Sequence, residues 1–175
     1  DVLEIARCNR PDLFNMVFAK PRPFIPRYLR KEVRGRVNFE GKILTELEED
    51  DIRAAVEFFR KEEVEAIAVC YINSYANDIH ERRTVELIRE LWPEVFVTSS
   101  VEVTREWREY ERTSTAALNS YVMPVASSYI DRLDGRIKEI GCDAKEYIMQ
   151  SNGGTTTFEQ AKRTPINMVE SGPVA

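Results

Sequence analysis

The run "VEAIAVCYI", residues 64 to 72, constrains this chain more than any other stretch. It is rich in β-branched residues and shows little polar alternation, the pattern of a strand buried on both faces near the centre of a parallel sheet. Helical patterns flank it. Ile52, Ala55, Val56 and Phe59 recur at helical spacing between Glu48 and Glu63, and Val85, Ile88, Leu91 and Trp92 mark the buried face of a second helix that ends before Pro93. Parallel strands need a crossover connection, so strands alternating with helices predict an α/β domain with a largely parallel sheet.

The remaining pattern extends this reading. "VFVTSSVEV", residues 95 to 103, predicts another strand, and a helical pattern from about Glu106 to Ile140 runs through Leu118, Tyr121, Val122, Val125, Tyr129, Leu133 and Ile137 before stopping at Gly141. Pro124 is expected to kink that helix or split it in two. "KEYIMQS" predicts a third short strand and "TTFEQAKRT" a capped helical turn, while Asp78 and Glu81 have the spacing of a capping box. Upstream, four prolines between residues 11 and 31 remove backbone donors and forbid a continuous helix, which predicts an extended, wrapping, irregular arm. "LRKEVRGRVNFEGKIL" then alternates around Gly41, predicting short antiparallel strands with a turn near Phe39 to Lys42. The expected organisation is an extended Pro-rich, basic arm with short strands over 1–47 and an α/β part over 48–175.

Charge limits the partners. A formal net charge of −5 argues against a general nucleic-acid binder, although Arg22, Arg27, Arg30, Lys31, Arg34 and Arg36 crowd together just before the acidic row Glu46, Glu48, Glu49, Asp50 and Asp51. Two complementary solvated faces explain this more simply than an anion site. No apolar run approaches the roughly 20 residues that cross a bilayer. The N-terminus has no signal-peptide pattern, so a cytoplasmic protein without a membrane partner is expected. Cys8, Cys70 and Cys142 are widely separated and odd in number, suggesting core or surface thiols rather than a disulfide framework or zinc knuckle.

Three stretches carry candidate chemistry. In "QSNGGTTTFEQ", residues 150 to 160, the glycines permit close backbone approach to a phosphate, but Asn152 stands where a magnesium-holding carboxylate is needed. Because Phe158 onward reads as helix, the segment is expected to be a strand-to-helix turn whose backbone N–H groups face a ligand, rather than a strand–turn–strand phosphate hairpin. The lone His80, with no second His or Cys nearby, reads as an exposed or capping residue, and no metal site is expected. "REYERTSTAALNSYV", residues 108 to 122, is compatible both with a polar site at a helix start and with capping plus i,i+4 ion pairs. Ser114 has no histidine partner in this stretch, so a Ser/His nucleophile is not supported.

Taken in order, "DVLEIARCNRPDL", "AVCYINSYANDIHERR", "VTSSVEV", "REYERTSTAALNSYVMPV", "MQSNGG" and "ESGPVA" resemble the ATP-dependent hydantoinase A/5-oxoprolinase family, which includes related subunits of acetone and acetophenone carboxylases. The resemblance implies an actin-like ATPase fold of ribonuclease-H-like lobes, here incomplete. The family's two phosphate hairpins precede the position matching Asp1 and follow the helix that "ESGPVA" begins, so the chain is expected to be an inactive fragment, truncated at both ends of the nucleotide site.

For the parent protein the resemblance implies ATP and Mg²⁺ as cofactors, none being expected in the fragment, and a small cyclic amide, such as hydantoin or 5-oxoproline, as substrate. Phosphorylation of the amide oxygen would make it reactive towards water. A second, B-type hydantoinase subunit or domain is the implied partner. The alternative is a docking module of a related carboxylase, acting through the arm and the basic patch at 20–36. Motif positions carried over are Glu111, Arg112, Thr113, Ser114, Ser151, Asn152, Gly153, Gly154, Ser171 and Gly172, with Arg112 and the Asn152–Gly154 turn expected to border the substrate or phosphate cleft. Asn73 departs from a position that often holds histidine in the family.

Overall fold

The structure, a computed structural model, describes residues 2–7, 9, 12–142 and 144–172. Helix α1 (Val2–Ile5) leads through a largely irregular arm and a 3-10 turn (Arg27–Leu29) into β1 (Arg36–Val37) and β2 (Ile43–Thr45). Then come α2 (Glu49–Lys61), β3 (Ala66–Val69), α3 (Ile79–Leu91), β4 (Phe96–Ser99), α4 (Ser100–Val103) and the long α5 (Glu109–Glu139). The chain closes with β5 (Tyr147–Met149), β6 (Thr155–Thr157), α6 (Phe158–Arg163) and a 3-10 turn at Pro165–Met168.

The core follows from the periodicities. Strands β3 and β4 pair in parallel, Ala66 opposite Phe96 through Val69 opposite Ser99. Ile67, Val69 and Val97 meet Ile52 and Val56 of α2 and Val85, Leu87 and Ile88 of α3 on one face, each burial contributing about 1.5–3 kcal/mol. Helix α5 packs across both strands on the other face, where Ala116 and Ala117 are buried.

The mixed α/β class with a parallel sheet agrees with the expectation, and the parallel part is small. Among the described residues β3 and β4 are the one parallel pair, while β1–β2 and β5–β6 are antiparallel. A tight connection dictates the last case: residues 150–154 are too few for a crossover, so β6 can only run back along β5. Nor is β3 central among the described residues. Residues 67–69 border a cavity of about 520 Å³ whose wall joins Leu3, Val33, Ile52, Val56 and Ala117 to the basic Arg27, Arg30 and Lys31 of the arm.

Two further elements differ from the sequence reading. "VFVTSSVEV" is a strand only to Ser99, after which α4 turns the chain. Pro124 does not split α5, which is continuous over 31 residues. Proline removes the bond to the Ser120 carbonyl, but Asn119 and Ile130, both 0% exposed, anchor the helix on either side of it.

The arm carries its own turns. Asp12 accepts the Phe14 N–H and Asn15 the Val17 N–H, an arrangement that leaves Leu13, Phe14, Met16 and Val17 between 71% and 90% exposed. The antiparallel strands form as expected. Their turn uses Gly41 at φ 83°, and the Asn38 side chain accepts the N–H groups of Glu40 and Lys42.

The basic and acidic segments compensate each other in part. Arg34 grips Asp51 with Nε at 2.8 Å and Nη2 at 2.9 Å, and Arg30 pairs with Glu4 at 2.9 Å. Cys8, and the helix start expected after Pro173, lie outside the described residues, whereas Cys70 is half-buried and Cys142 exposed.

Candidate functional site

The carboxyl ends of β3 and β4 converge on a buried polar knot. Glu81, 0% exposed, accepts four hydrogen bonds: from Tyr71 N at 2.9 Å, Ser99 Oγ at 2.8 Å, Ser100 Oγ at 2.7 Å and Val101 N at 3.3 Å. This replaces the expected capping box, because Asp78 instead pairs with Arg82 and Arg105 and makes no side-chain cap. A carboxylate this deep is tolerated because its oxygens are satisfied.

Arg112 completes the knot. Its guanidinium is 0% exposed and donates Nε to Ser100 Oγ at 3.1 Å, Nη1 to Glu106 O at 2.7 Å and Nη2 to Tyr71 O at 2.7 Å. Nη2 also lies 3.8 Å from Glu109 and the group sits over the Tyr75 ring. The fork therefore locks the loop 70–78 and the loop 104–108 to the start of α5.

Neighbouring candidates are also turned inwards. Thr113 Oγ1 lies 3.0 Å from Cys70 Sγ, and burial pushes the Cys70 thiol above its usual range. Ser114 Oγ is buried without a partner among the described residues. Asn73, at φ 61°, donates Nδ2 to Val37 O at 2.9 Å and fastens β1 to the β3–α3 loop. His80 is 4% exposed, neither exposed nor capping, and both ring nitrogens lack partners among the described residues. Burial holds its pKa below the usual histidine value.

The glycine pair corrects the reading of residues 150 to 160. The segment is strand, turn, strand, with α6 starting only at Phe158, where Thr157 accepts the Gln160 N–H. Gly153, at φ 81°, donates its N–H to Gln150 O at 3.0 Å, and Gly154 N–H is taken by Asn152 Oδ1 at 2.9 Å. Both glycine donors are thus engaged inside the turn rather than facing a ligand. Among the described residues no three His, Cys, Asp or Glu side chains gather as a metal set.

The hairpin is secured to the second 3-10 turn. Ser151 N–H donates to Asn167 O at 2.7 Å and Ser151 Oγ accepts from Glu170 N at 3.0 Å, while Ser171 N–H donates to Met168 O. Gly172 is exposed, with open space around its Cα. Asn119, which the sequence reading missed, joins this unit to the sheet: Nδ2 donates to Thr98 Oγ1 and to Arg163 O, both at 3.0 Å, and Oδ1 accepts from Ile166 N at 3.2 Å.

The candidates thus form two groups, Arg112–Ser114 and Ser151–Gly154 with Ser171–Gly172, and neither group lines the polar cleft of about 640 Å³ found beside the start of α5. The cleft is lined by Thr104, Trp107, Arg108, Glu111, Thr115 and Asn167. Of the motif positions, Glu111 faces it directly. Glu111 is paired with Arg7 at 2.7 Å, which holds its carboxyl below the usual range, and its main-chain oxygen accepts from Thr115 Oγ1. Trp107, also missed, is signalled only by an exposed tryptophan at the edge of the REYERTS motif.

Comparison with known proteins adds the lineage. The hydantoinase/oxoprolinase N-terminal region matches residues 1–92 and the hydantoinase/oxoprolinase region matches residues 112–175. An uncharacterized protein of Methanocaldococcus jannaschii, MJ0964, is 39% identical over 175 residues, covering all of this chain and 26% of its own length. The caprolactamase subunit alpha of Pseudomonas jessenii is 34% identical over 177 residues, covering all of this chain and 25% of that protein. The crystal structure of the ATP-dependent caprolactamase from Pseudomonas jessenii superposes with a TM-score of 0.88 over 98% of this chain and 25% of that one. The chain spans about a quarter of the length of these relatives. By sequence over both matched regions and by backbone, the chain belongs to the hydantoinase/oxoprolinase family.

Proposed function

We propose that the chain is part of an ATP-dependent enzyme that opens a small cyclic amide of the hydantoin or 5-oxoproline kind. The carrying observation is the near-complete backbone match to a caprolactamase described as ATP-dependent. On this reading the whole protein has an actin-like ATPase fold, resides in the cytoplasm and works with ATP and Mg²⁺. No helix among the described residues is long and apolar enough to cross a membrane.

On this reading the nucleotide grip belongs to other parts of the whole protein, the glycine donors here being engaged within their own turn. The share of these residues is the cleft and its frame. Arg112 fixes the loops around it, Thr113 and Ser114 support it from the inner side of α5, and Ser151–Gly154 with Ser171 and Gly172 are the segment proposed to complete its border in the whole protein. These 175 residues alone are expected to be inactive.

The test is phosphate release by the full-length protein, with its B-type subunit, in the presence of hydantoin, 5-oxoproline or caprolactam. Amide-stimulated release is expected. Its absence with all three, or turnover by the 175 residues alone, refutes the reading. Calorimetric titration of ATP with Mg²⁺ into the chain and into Asn152→Ala should show no binding to either.

A second reading, a docking role for the arm (residues 1–47) set against a body over 48–175, is favoured by the exposure of Leu13, Phe14, Met16 and Val17. The relative from Pseudomonas jessenii is named as a subunit, which supports a partner of the B type. Replacing Phe14 and Met16 by Ser should weaken subunit association; unchanged association removes this reading.

A further inference from the structure

We propose that Trp107 is the wall on which the polar cleft holds a flat, uncharged ring bearing an amide, and thus a specificity-determining residue. This rests on the cyclic-amide reading above and assigns the ring's place within it. Trp107 stands 63% exposed on the loop before α5, at the rim of the 640 Å³ cleft. A largely exposed indole beside polar groups, with one face taken by a guanidinium, offers its other face to a planar conjugated ligand. The Arg108 guanidinium lies 4.9 Å from the indole centroid.

Charge balance sets the ligand's charge. The two carboxylates lining the cleft, Glu106 and Glu111, are matched in number by Arg7, which pairs with Glu111, and by Arg108, which also attracts Glu111. No net charge remains to favour an anion or a cation. Hydrogen-bonding capacity sets its groups. Arg108 makes no ion pair and the Asn167 carboxamide no hydrogen bond among the described residues, so both face the cleft with free donors for a carbonyl oxygen. The Asn167 carboxamide oxygen and the Glu106 carboxylate offer acceptors for an N–H. A ring amide presents both groups in one plane. Its ring-opened product, which carries a carboxylate, meets Glu106 and fits less well.

Two experiments test this. In the first, made on these 175 residues, Trp92→Phe leaves Trp107 as their sole indole, and hydantoin is titrated while its emission is followed. A saturable quench is expected, at least tenfold weaker for N-carbamoylglycine and weakened several-fold by Arg108→Ala. A linear quench without saturation, or equal responses to ring and opened chain, overturns the proposal.

In the second, the full-length enzyme carries Trp107→Ala or Trp107→Phe. Loss of the stacking face should raise KM for the cyclic amide about three- to tenfold with kcat within twofold, and Phe should restore most of the loss. An unchanged KM in an active enzyme overturns the assignment while leaving the reaction intact. Failure of the wild-type enzyme to open any cyclic amide instead sinks the functional reading, and the titration then decides the cleft by itself.

Discussion

Replacing Glu81 by Ala should be among the most damaging single changes in this chain. The substitution removes four accepted hydrogen bonds at a site with no exposure. The two serine hydroxyls can turn to other acceptors, but the Tyr71 and Val101 N–H groups cannot. Each stranded backbone donor costs about 1–3 kcal/mol. Breaking a buried charged network costs about 3–5 kcal/mol, a large share of the roughly 5–15 kcal/mol that holds a domain. With a urea slope near 2 kcal/mol/M, the unfolding midpoint should fall by about 2 M.

Glu81→Gln sharpens the test. Tyr71 N–H points at Oε1 and Val101 N–H at Oε2, so whichever oxygen becomes an amide nitrogen faces a backbone donor. The variant should therefore lose about 1–3 kcal/mol despite its matched shape. Urea denaturation followed by tryptophan emission and far-ultraviolet circular dichroism measures both. A loss below about 1 kcal/mol for Glu81→Ala, with an unchanged slope, would refute the reasoning.

Three other outcomes are expected. Hydrogen bonds from the Arg34 side chain and backbone pull the Asp51 pKa down to about 2, so this contact's stabilisation is present above the unfolded value, ~3.9, and is lost as pH falls through about 2; hydrogen exchange at the Arg34 amide should rise across that window, and Asp51→Asn should abolish the pH dependence. Iodoacetamide followed by peptide mass mapping should label exposed Cys142 rapidly and Cys70 only on unfolding, since burial raises its thiol pKa; equal rates would contradict the placement. Gly41→Ala puts a Cβ 3.3 Å from Ala76 O at a φ of +83° and should cost roughly 1–3 kcal/mol, read as a lowered melting temperature.

What was legible depended on how local the deciding interaction is. The core of β3, α2 and α3 was readable because Ile52, Val56, Ile67 and Val85 announce their buried faces through spacing alone. Glu81 was not. At capping-box spacing in the first turn of α3 it looks solvated, and only Ser99 and Ser100, brought alongside by β4, decide its burial. The hairpin was hidden because Thr157 ends β6 and caps α6 at once, so strand and helix start share a residue. Arg112 was singled out by its motif, but the sequence cannot say that its guanidinium points into the protein.

The buried knot also bears on how this chain can be divided. Its carboxylate comes from the region that matches over 1–92 and its guanidinium from the region that matches over 112–175, with Ser99 and Ser100 between them. The boundary seen in sequence comparisons is therefore not a seam in the folded protein. Cutting near residue 105 would part the Arg112 guanidinium from Ser100 Oγ and Tyr71 O and uncover the knot on both sides, so neither half should persist alone in a folded state. Expressed together, the halves should reassemble around the same knot, making the pair a split reporter whose recovery reads out the docking of α5 on the sheet.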